Sequence, residues 1–340
     1  MNDLLADLIA FVLLVGVTAY STAGGADFGA GIWDLVAGNG SALGREAREL
    51  IDHAMAPVWE VNNVWLVLSI VVCWTGFPSL FQAIFTSLYP LFAIALVGLI
   101  LRGAFFAFRH VADEPRAHRA ADLVFGVSSV VTPFFFAAGL GAIASGQVGL
   151  HGPSTSVLAA SFNPMSISFG LVSVAATAFT GAVFLVGDAR RYGATELVAY
   201  FRFRAVVAAA ALVVAGTIAL VVIWLEAPDL ARGMLLGRGT PFAVVTMVLV
   251  PVVAFLMWRS RFTLYRLLAI GAVASLVFAW GFAQSPYLLP GALTIAQAAS
   301  PQSTEVLLVI VTLGVVLVIG PAMGLLYYLD QRGALESPEP

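Results

Sequence analysis

Long apolar runs separated by short polar breaks dominate this chain. A membrane-crossing helix needs roughly 20 mostly apolar residues. Runs of that kind fall at approximately 4–22, 61–78, 80–101, 122–144, 165–187, 205–225, 240–258, 263–284 and 304–328. The pattern predicts an all-α integral membrane protein of about nine transmembrane helices. They form one polytopic domain over 1–330, and a short polar tail follows at 331–340. Pro78 and Ser79 predict a tight hairpin between the second and third runs. In the first run, Asp3 and Asp7 stand where a cleavable signal would carry basic residues, so it reads as a retained span.

Charge gives the runs a direction. All 16 basic residues are arginine. Arg45 and Arg48 follow the first run. Arg102, Arg109, Arg116 and Arg119 follow the third, and Arg190, Arg191, Arg202 and Arg204 follow the fifth. Arg259, Arg261 and Arg266 flank the next such turn, and Arg332 follows the ninth run. Only Arg232 and Arg238 fall on the other side, a division of fourteen to two. Excess arginine marks the cytoplasmic side, which predicts an outside N-terminus and a cytoplasmic C-terminus. The opposite loops at 145–164 and 285–303 contain no charged residue.

Composition agrees with the runs. The chain is 61% hydrophobic and 10% charged, with mean hydropathy +0.98, whereas soluble domains are about half apolar and about a quarter charged. A soluble enzyme is therefore excluded. The apolar runs are too long for barrel strands. Cys73 is the one cysteine, so it forms no internal disulfide and reads as a small buried hydrophobe.

The polar groups near the runs carry the chemistry. Residues 56–65 read Ala-Pro-Val-Trp-Glu-Val-Asn-Asn-Val-Trp, placing Glu60, Asn62 and Asn63 at the mouth of an apolar run. Glu60 and Asn63 are three apart, and Trp59 and Asn63 four apart, so all three share one side of a helix. Tryptophans anchor at membrane interfaces, but that does not explain the acid and amides. An acid there is costly unless it faces protein, water or a proton route. Upstream, Gly24 to Gly31 continues the first run inward with glycines that admit close helix packing. Asp27 and Asp34 are seven apart on one face. Asp27 reads equally as a structural hydrogen-bond partner or a proton-relay group, and Asp34 as a solvated residue. Residues 44–56 form an amphipathic interfacial stretch in which Glu46 and Glu49 pair locally with Arg45 and Arg48, and His53 belongs to its wet surface. His110 and His118 lie in an arginine-rich loop and His151 in an opposite loop, so none is placed mid-membrane for a haem. No metal-ligand spacing, phosphate loop or nucleophile elbow occurs.

The letters A-P-V-W-E-V-N-N-V-W-L, Ala56 to Leu66, resemble the P-x-W-D-G-N-x-V-W-L motif of the cytochrome bd quinol oxidase subunit II family. G-G-A-D-F-G-A-G from Gly24 resembles that family's D-G-F-D-x-G-x-G, and Arg102 to Arg109 resembles its R-P-x-x-F-D-F/Y-R. Ser285 to Pro290, Leu293 to Ile295 and Ala298 to Ser300 resemble its last outer loop. The matches occur in family order. The resemblance implies two four-helix bundles plus a peripheral helix in a bacterial inner membrane. It implies a heterodimer with a haem-bearing subunit I holding haem b and haem d, where quinol reduces oxygen to water. This chain would hold no cofactor or metal, would meet membrane lipid, quinone and small accessory subunits, and would bind no nucleic acid. The acid matching Glu60 would take protons from the cytoplasm, with Asp27 a second station. Trp59, Asn62 and Asn63 would position Glu60, and Arg102 would balance charge. The chain departs from the family where Gly24 and Ala107 replace acids, Gly103 replaces proline, Glu60 replaces aspartate and Val61 replaces glycine. Rival readings are a subunit of a bd-like complex with another electron donor, a secondary transporter and a purely structural scaffold.

Overall fold

The structure is a computed structural model that describes residues 2–37, 40–55, 58–109, 115–260 and 264–331. It is almost entirely helical. In chain order the helices are α1 (Asn2–Ala37), α2 (Ala42–Met55), α3 (Val58–Gly76), α4 (Pro78–Ser87), α5 (Tyr89–Arg109), α6 (Pro115–Ala144), α7 (Val157–Ser161) and α8 (Pro164–Arg191). They continue with α9 (Thr195–Glu226), α10 (Pro228–Leu236), α11 (Thr240–Trp258), α12 (Tyr265–Gln284), α13 (Ile295–Ala298) and α14 (Gln302–Gln331). Two small antiparallel hairpins, Val148–Gly149 with Gly152–Pro153 and Tyr287–Leu289 with Leu293–Thr294, sit in the uncharged loops.

Among the described residues, seven helices are long and apolar enough to cross a membrane. The bent pair α3 and α4 brings the number to eight, and the apolar segment Gln302–Val315 opens α14. The hairpin expected at Pro78 and Ser79 is not what forms. Pro78 instead starts a separate ten-residue helix, α4, turned by 114° from α3. Proline lacks the N–H that would continue α3 but is pre-set for a helix's first turn. The next span, α5, therefore begins only at Tyr89.

α8 starts with equal definition. The Asn163 side chain accepts from the Ser166 N–H, the Ser166 side chain accepts from the Asn163 N–H, and Pro164 occupies the first turn. The core has two main parts. One, at the arginine-rich end, packs α1, α2, α8, α9, α11 and α12 around Phe179, Phe201 and Ile51. The other, at the opposite end, packs α1, α3, α4, α5 and α6 with both hairpins around Phe77, Leu88 and Leu91. α1 contributes to both.

α1 meets α8 almost backbone to backbone. A Cβ on Gly181 would lie 2.5 Å from the Gly29 backbone. The expectation that glycines after residue 24 admit close packing is met there, and this crossing fixes the height and rotation of α1. Cys73 is buried, as expected.

Candidate functional site

Tyr20, Gly24, Asp27, Gly31 and Asp34 follow one another at spacings of four and three, so they form one stripe along α1. The stripe spans about 21 Å at 1.5 Å per residue. The neighbouring helices supply its partners.

Asp27 and Arg102 form its centre. Arg102 is fully buried and Asp27 is 2% exposed. One guanidinium nitrogen, Nη2, donates to Asp27 Oδ1 at 2.8 Å and to the Asp27 carbonyl at 3.1 Å. Nη1 donates to Oδ2 at 3.1 Å, and Nε donates to Ser129 Oγ at 3.1 Å. Ser129 in turn donates to the Phe125 carbonyl at 2.8 Å. The Phe28 and Phe125 rings face the guanidinium at 4.8 and 4.9 Å. A buried charge is tolerated only when paired and hydrogen-bonded. Here α1, α5 and α6 meet that requirement together. The planar fork of arginine suits a carboxylate held this way, which an ammonium would not match.

At the arginine-rich end of the stripe, Asp34 is 1% exposed, not solvated as the sequence suggested. Arg48 Nε donates to Asp34 Oδ1 at 2.9 Å and Nη2 to Oδ2 at 3.2 Å. The same guanidinium lies 2.8 Å from Asp122 on α6, and His118 stands 3.8 Å from Asp122. Arg48, which the sequence paired with its neighbouring glutamates, joins a tertiary triad with Asp34 and Asp122. Ala47, Leu50 and Ile51 press α2 onto the core, which turns Arg48 inward. Burial works against the Arg48 charge, but Asp34 and Asp122 outweigh it, so its pKa is raised.

Toward the other end, the stripe meets α3. Asn62 is 1% exposed, and a Cβ on Gly24 would lie 3.1 Å from its Nδ2. Tyr20 Oη and both polar atoms of the Asn62 amide are buried without a hydrogen-bond partner among the described residues. Asn63 is half-buried. Glu60 and Trp59 lie within α3, but their side chains are outside the described residues. Asp27, Arg102 and Asn62 of the sequence-derived set therefore converge on one region, with Arg102 balancing Asp27.

Sequence reasoning missed Arg48, Asp122, Ser129 and Tyr20. The stripe periodicity was a usable signal for Tyr20 and Asp34. Nothing in the sequence marked the others, which arrive from distant helices. A further ionic contact, also missed, joins α8 to α12: Arg266 lies 2.5 Å from Asp188 and donates to the Phe184 carbonyl at 2.7 Å. His53, His118 and His151 are all exposed. Among the described residues, then, no histidine offers haem iron a ligand inside the helical core.

Fold and site together define a multi-pass α-helical membrane protein organised around buried ion pairs. The chain belongs to the cytochrome bd terminal oxidase subunit II family, whose model matches residues 5–330. It is 27% identical over 222 residues to cytochrome bd-I ubiquinol oxidase subunit 2 of Escherichia coli strain K12, covering 64% of this chain and 55% of that protein. It is 31% identical over 134 residues to cytochrome bd ubiquinol oxidase subunit 2 of Bacillus subtilis strain 168, covering 39% and 37%. These matches thus span about half or less of the relatives' own lengths. A chain of the bd oxidase from Geobacillus thermodenitrificans shares the fold, with TM-score 0.81 over 96% of this chain and 98% of that one, at 23% identity.

Proposed function

We propose that this chain is the non-haem subunit II of a bd-type terminal oxidase in a bacterial inner membrane. It supports a haem-bearing subunit I, which carries haem b and haem d, and contributes to proton uptake from the cytoplasm for quinol-driven reduction of oxygen to water. Family membership over residues 5–330 carries this reading. The arginine distribution supports a cytoplasmic end at α2 and the α5–α6 turn. Glu60 is the first proton acceptor, at the start of α3. Trp59, Asn62 and Asn63 hold the local structure around it.

Asp27 has a narrower role than a proton carrier. Its carboxylate is held at both oxygens by Arg102. It acts as a fixed charge that orders the proton route and joins α1 to α5. Arg48 does the same for Asp34 nearer the surface. The two arginines balance the acids of the stripe without moving protons themselves, since guanidinium keeps its proton throughout the physiological range.

The test is co-expression with the haem-bearing partner and replacement of Glu60 by Gln. The expected result is normal assembly and haem content with a loss of oxygen consumption and proton uptake of about 100-fold or more, the scale of a lost proton-transfer group. Unchanged turnover with unchanged proton uptake removes Glu60 from the mechanism. Loss of assembly alone assigns the chain to scaffolding.

A further inference from the structure

The arginines against the helical body are not partnered alike. Arg48, Arg102 and Arg266 each reach a carboxylate. Arg204 on α9 reaches none among the described residues. Its Nη1 donates to the Tyr200 carbonyl one turn back at 3.2 Å, and its Nε is buried without a hydrogen-bond partner. The guanidinium lies over the Tyr200 ring and 5.9 Å from the centre of the Trp33 ring on α1. Trp33 is itself fixed, because its indole N–H donates to the Ala178 carbonyl of α8 at 2.8 Å. Aromatic faces lower the cost of a half-buried cation but do not neutralise it. Nη2 is left for an anion from outside the described residues.

The position of Arg204 along α9 says which anion. The uncharged run 205–225 begins at the next residue. At ~1.5 Å per residue it is about 31 Å long, which matches a hydrocarbon layer of roughly 30 Å. Arg204 therefore stands at the level of the lipid phosphates, on the arginine-rich side. Aromatic residues mark both ends of the run, Tyr200 near Arg204 and the exposed Trp224 at the far end. From Arg204, Val207, Ala211, Val214, Ile218, Val221 and Leu225 recur at spacings of three and four, and all are exposed. They form one apolar stripe on the face that carries Arg204. Helices that pack together in a membrane meet through small or hydrogen-bonding residues. This stripe is mainly Val, Ile and Leu with no polar group, so it suits acyl chains better than another helix.

We propose that Arg204, Tyr200 and the adjoining stripe of α9 bind one anionic phospholipid of the leaflet at the arginine-rich end. The planar guanidinium fork suits the paired oxygens of a phosphodiester. One acyl chain lies along Val207, Ala211 and Val214, which cover the ~15 Å depth of a single leaflet. By holding Arg204 against Trp33, the bound headgroup ties α9 to the inner end of α1. This site does not depend on the proton-uptake reading, and its readout is binding rather than turnover.

The test uses the co-expressed complex, purified in detergent and stripped of lipid. Phosphatidylglycerol, which is anionic, or phosphatidylethanolamine, which is zwitterionic, is titrated back. Haem content establishes assembly. Binding is read as lipid copies retained in native mass spectrometry and as the rise in the thermal transition. Phosphatidylglycerol is expected to bind the more tightly. Arg204→Gln should lower its affinity about fivefold, the worth of one interfacial arginine, whereas Arg232→Gln at the opposite face should change nothing. Equal affinity for the two lipids, or an unchanged Arg204→Gln, overturns the site. So does full competition by inorganic phosphate, which would make the ligand a free anion. A density map of the unmodified complex gives a check independent of folding of the variants. A lipid with its phosphate on Arg204 supports the proposal, and a carboxylate of the partner subunit in that place overturns it.

Discussion

Among the described residues, two of the Asp–Arg pairs that cross between helices differ most plainly in how much water each retains. Asp27–Arg102 joins α1 to α5 with side chains 2% and 0% exposed. Asp188–Arg266 joins α8 to α12 with 23% exposure on each side. The contact distances are similar, at 2.8 and 2.5 Å. The supporting structure is not. Arg102 has Ser129, a main-chain carbonyl and two aromatic faces around it. Among the described contacts, Arg266 leans on the carbonyl and the ring of Phe184, over a groove left open by Gly187. Distance alone therefore does not rank ion pairs. What ranks them is the cost of stranding the surviving partner, and that cost grows with burial.

The largest expected effect follows directly. Arg102→Leu leaves Asp27 buried without its counter-charge and is expected to destabilise the assembled complex by about 3–5 kcal/mol. Thermal loss of the haem spectrum and of the intact complex on size exclusion would measure it. Replacing both partners, as Asp27→Asn with Arg102→Gln, removes the stranded charge, so the double variant should be less damaged than Arg102→Leu alone. Equal damage in both would show that Arg102 matters mainly as volume between Phe28 and Phe125. Arg102→Lys should fall between the two, because an ammonium cannot serve both carboxylate oxygens and Ser129 at once.

The triad at the arginine-rich end is intermediate. Arg48 keeps 12% of its side-chain exposure while Asp34 keeps none. Arg48→Gln is expected to cost about 1–3 kcal/mol, measured as the same thermal transition. It also unties α2 from α1 and α6, so hydrogen exchange in α2 should rise while the rest of the chain is unaffected. Exchange that rises equally throughout would mean that α2 does not open separately. Arg266→Ala comes next, at about 1–2 kcal/mol by the same reasoning with water sharing the load. Its loss should leave turnover intact, since the described partners of Asp27 and Asp34 are Arg102 and Arg48 and not this pair.

The same contrast explains how far the sequence could be read. Apolar runs reported the helices because each must bury or present a continuous apolar length. The glycine-rich continuation of α1 reported close packing, which Gly29 and Gly181 realise. The hairpin at Pro78 misled because one proline both ends a helix and begins another, and the sequence does not say which angle the two adopt. Asp34 misled for a different reason. Its polarity suggested solvent, and the partner that makes burial possible, Arg48, lies 14 residues on across a chain reversal. Asp27 and Arg102 were both singled out, yet 75 residues separate them and no local spacing joins one to the other. Tertiary ion pairs are set by helix packing, and helix packing is the part a single sequence states least directly.

The smallest expected effect completes the ranking. Asp229 and Arg232 on α10 are three apart, and their charged atoms stand 3.0 Å from each other, a distance close to those of the buried pairs. Their side chains are 97% and 66% exposed. Water solvates either group fully if the other is removed, and the contact must also hold two mobile side chains in one place. Arg232→Ala should therefore leave the thermal transition, haem content and turnover of the assembled complex unchanged within error, at low and high salt alike. A clear loss on that substitution would mean that α10 is covered in the complex. Asp229–Arg232 would then join the buried class, and the order proposed for the other pairs would have to be redrawn from exposures in the assembly.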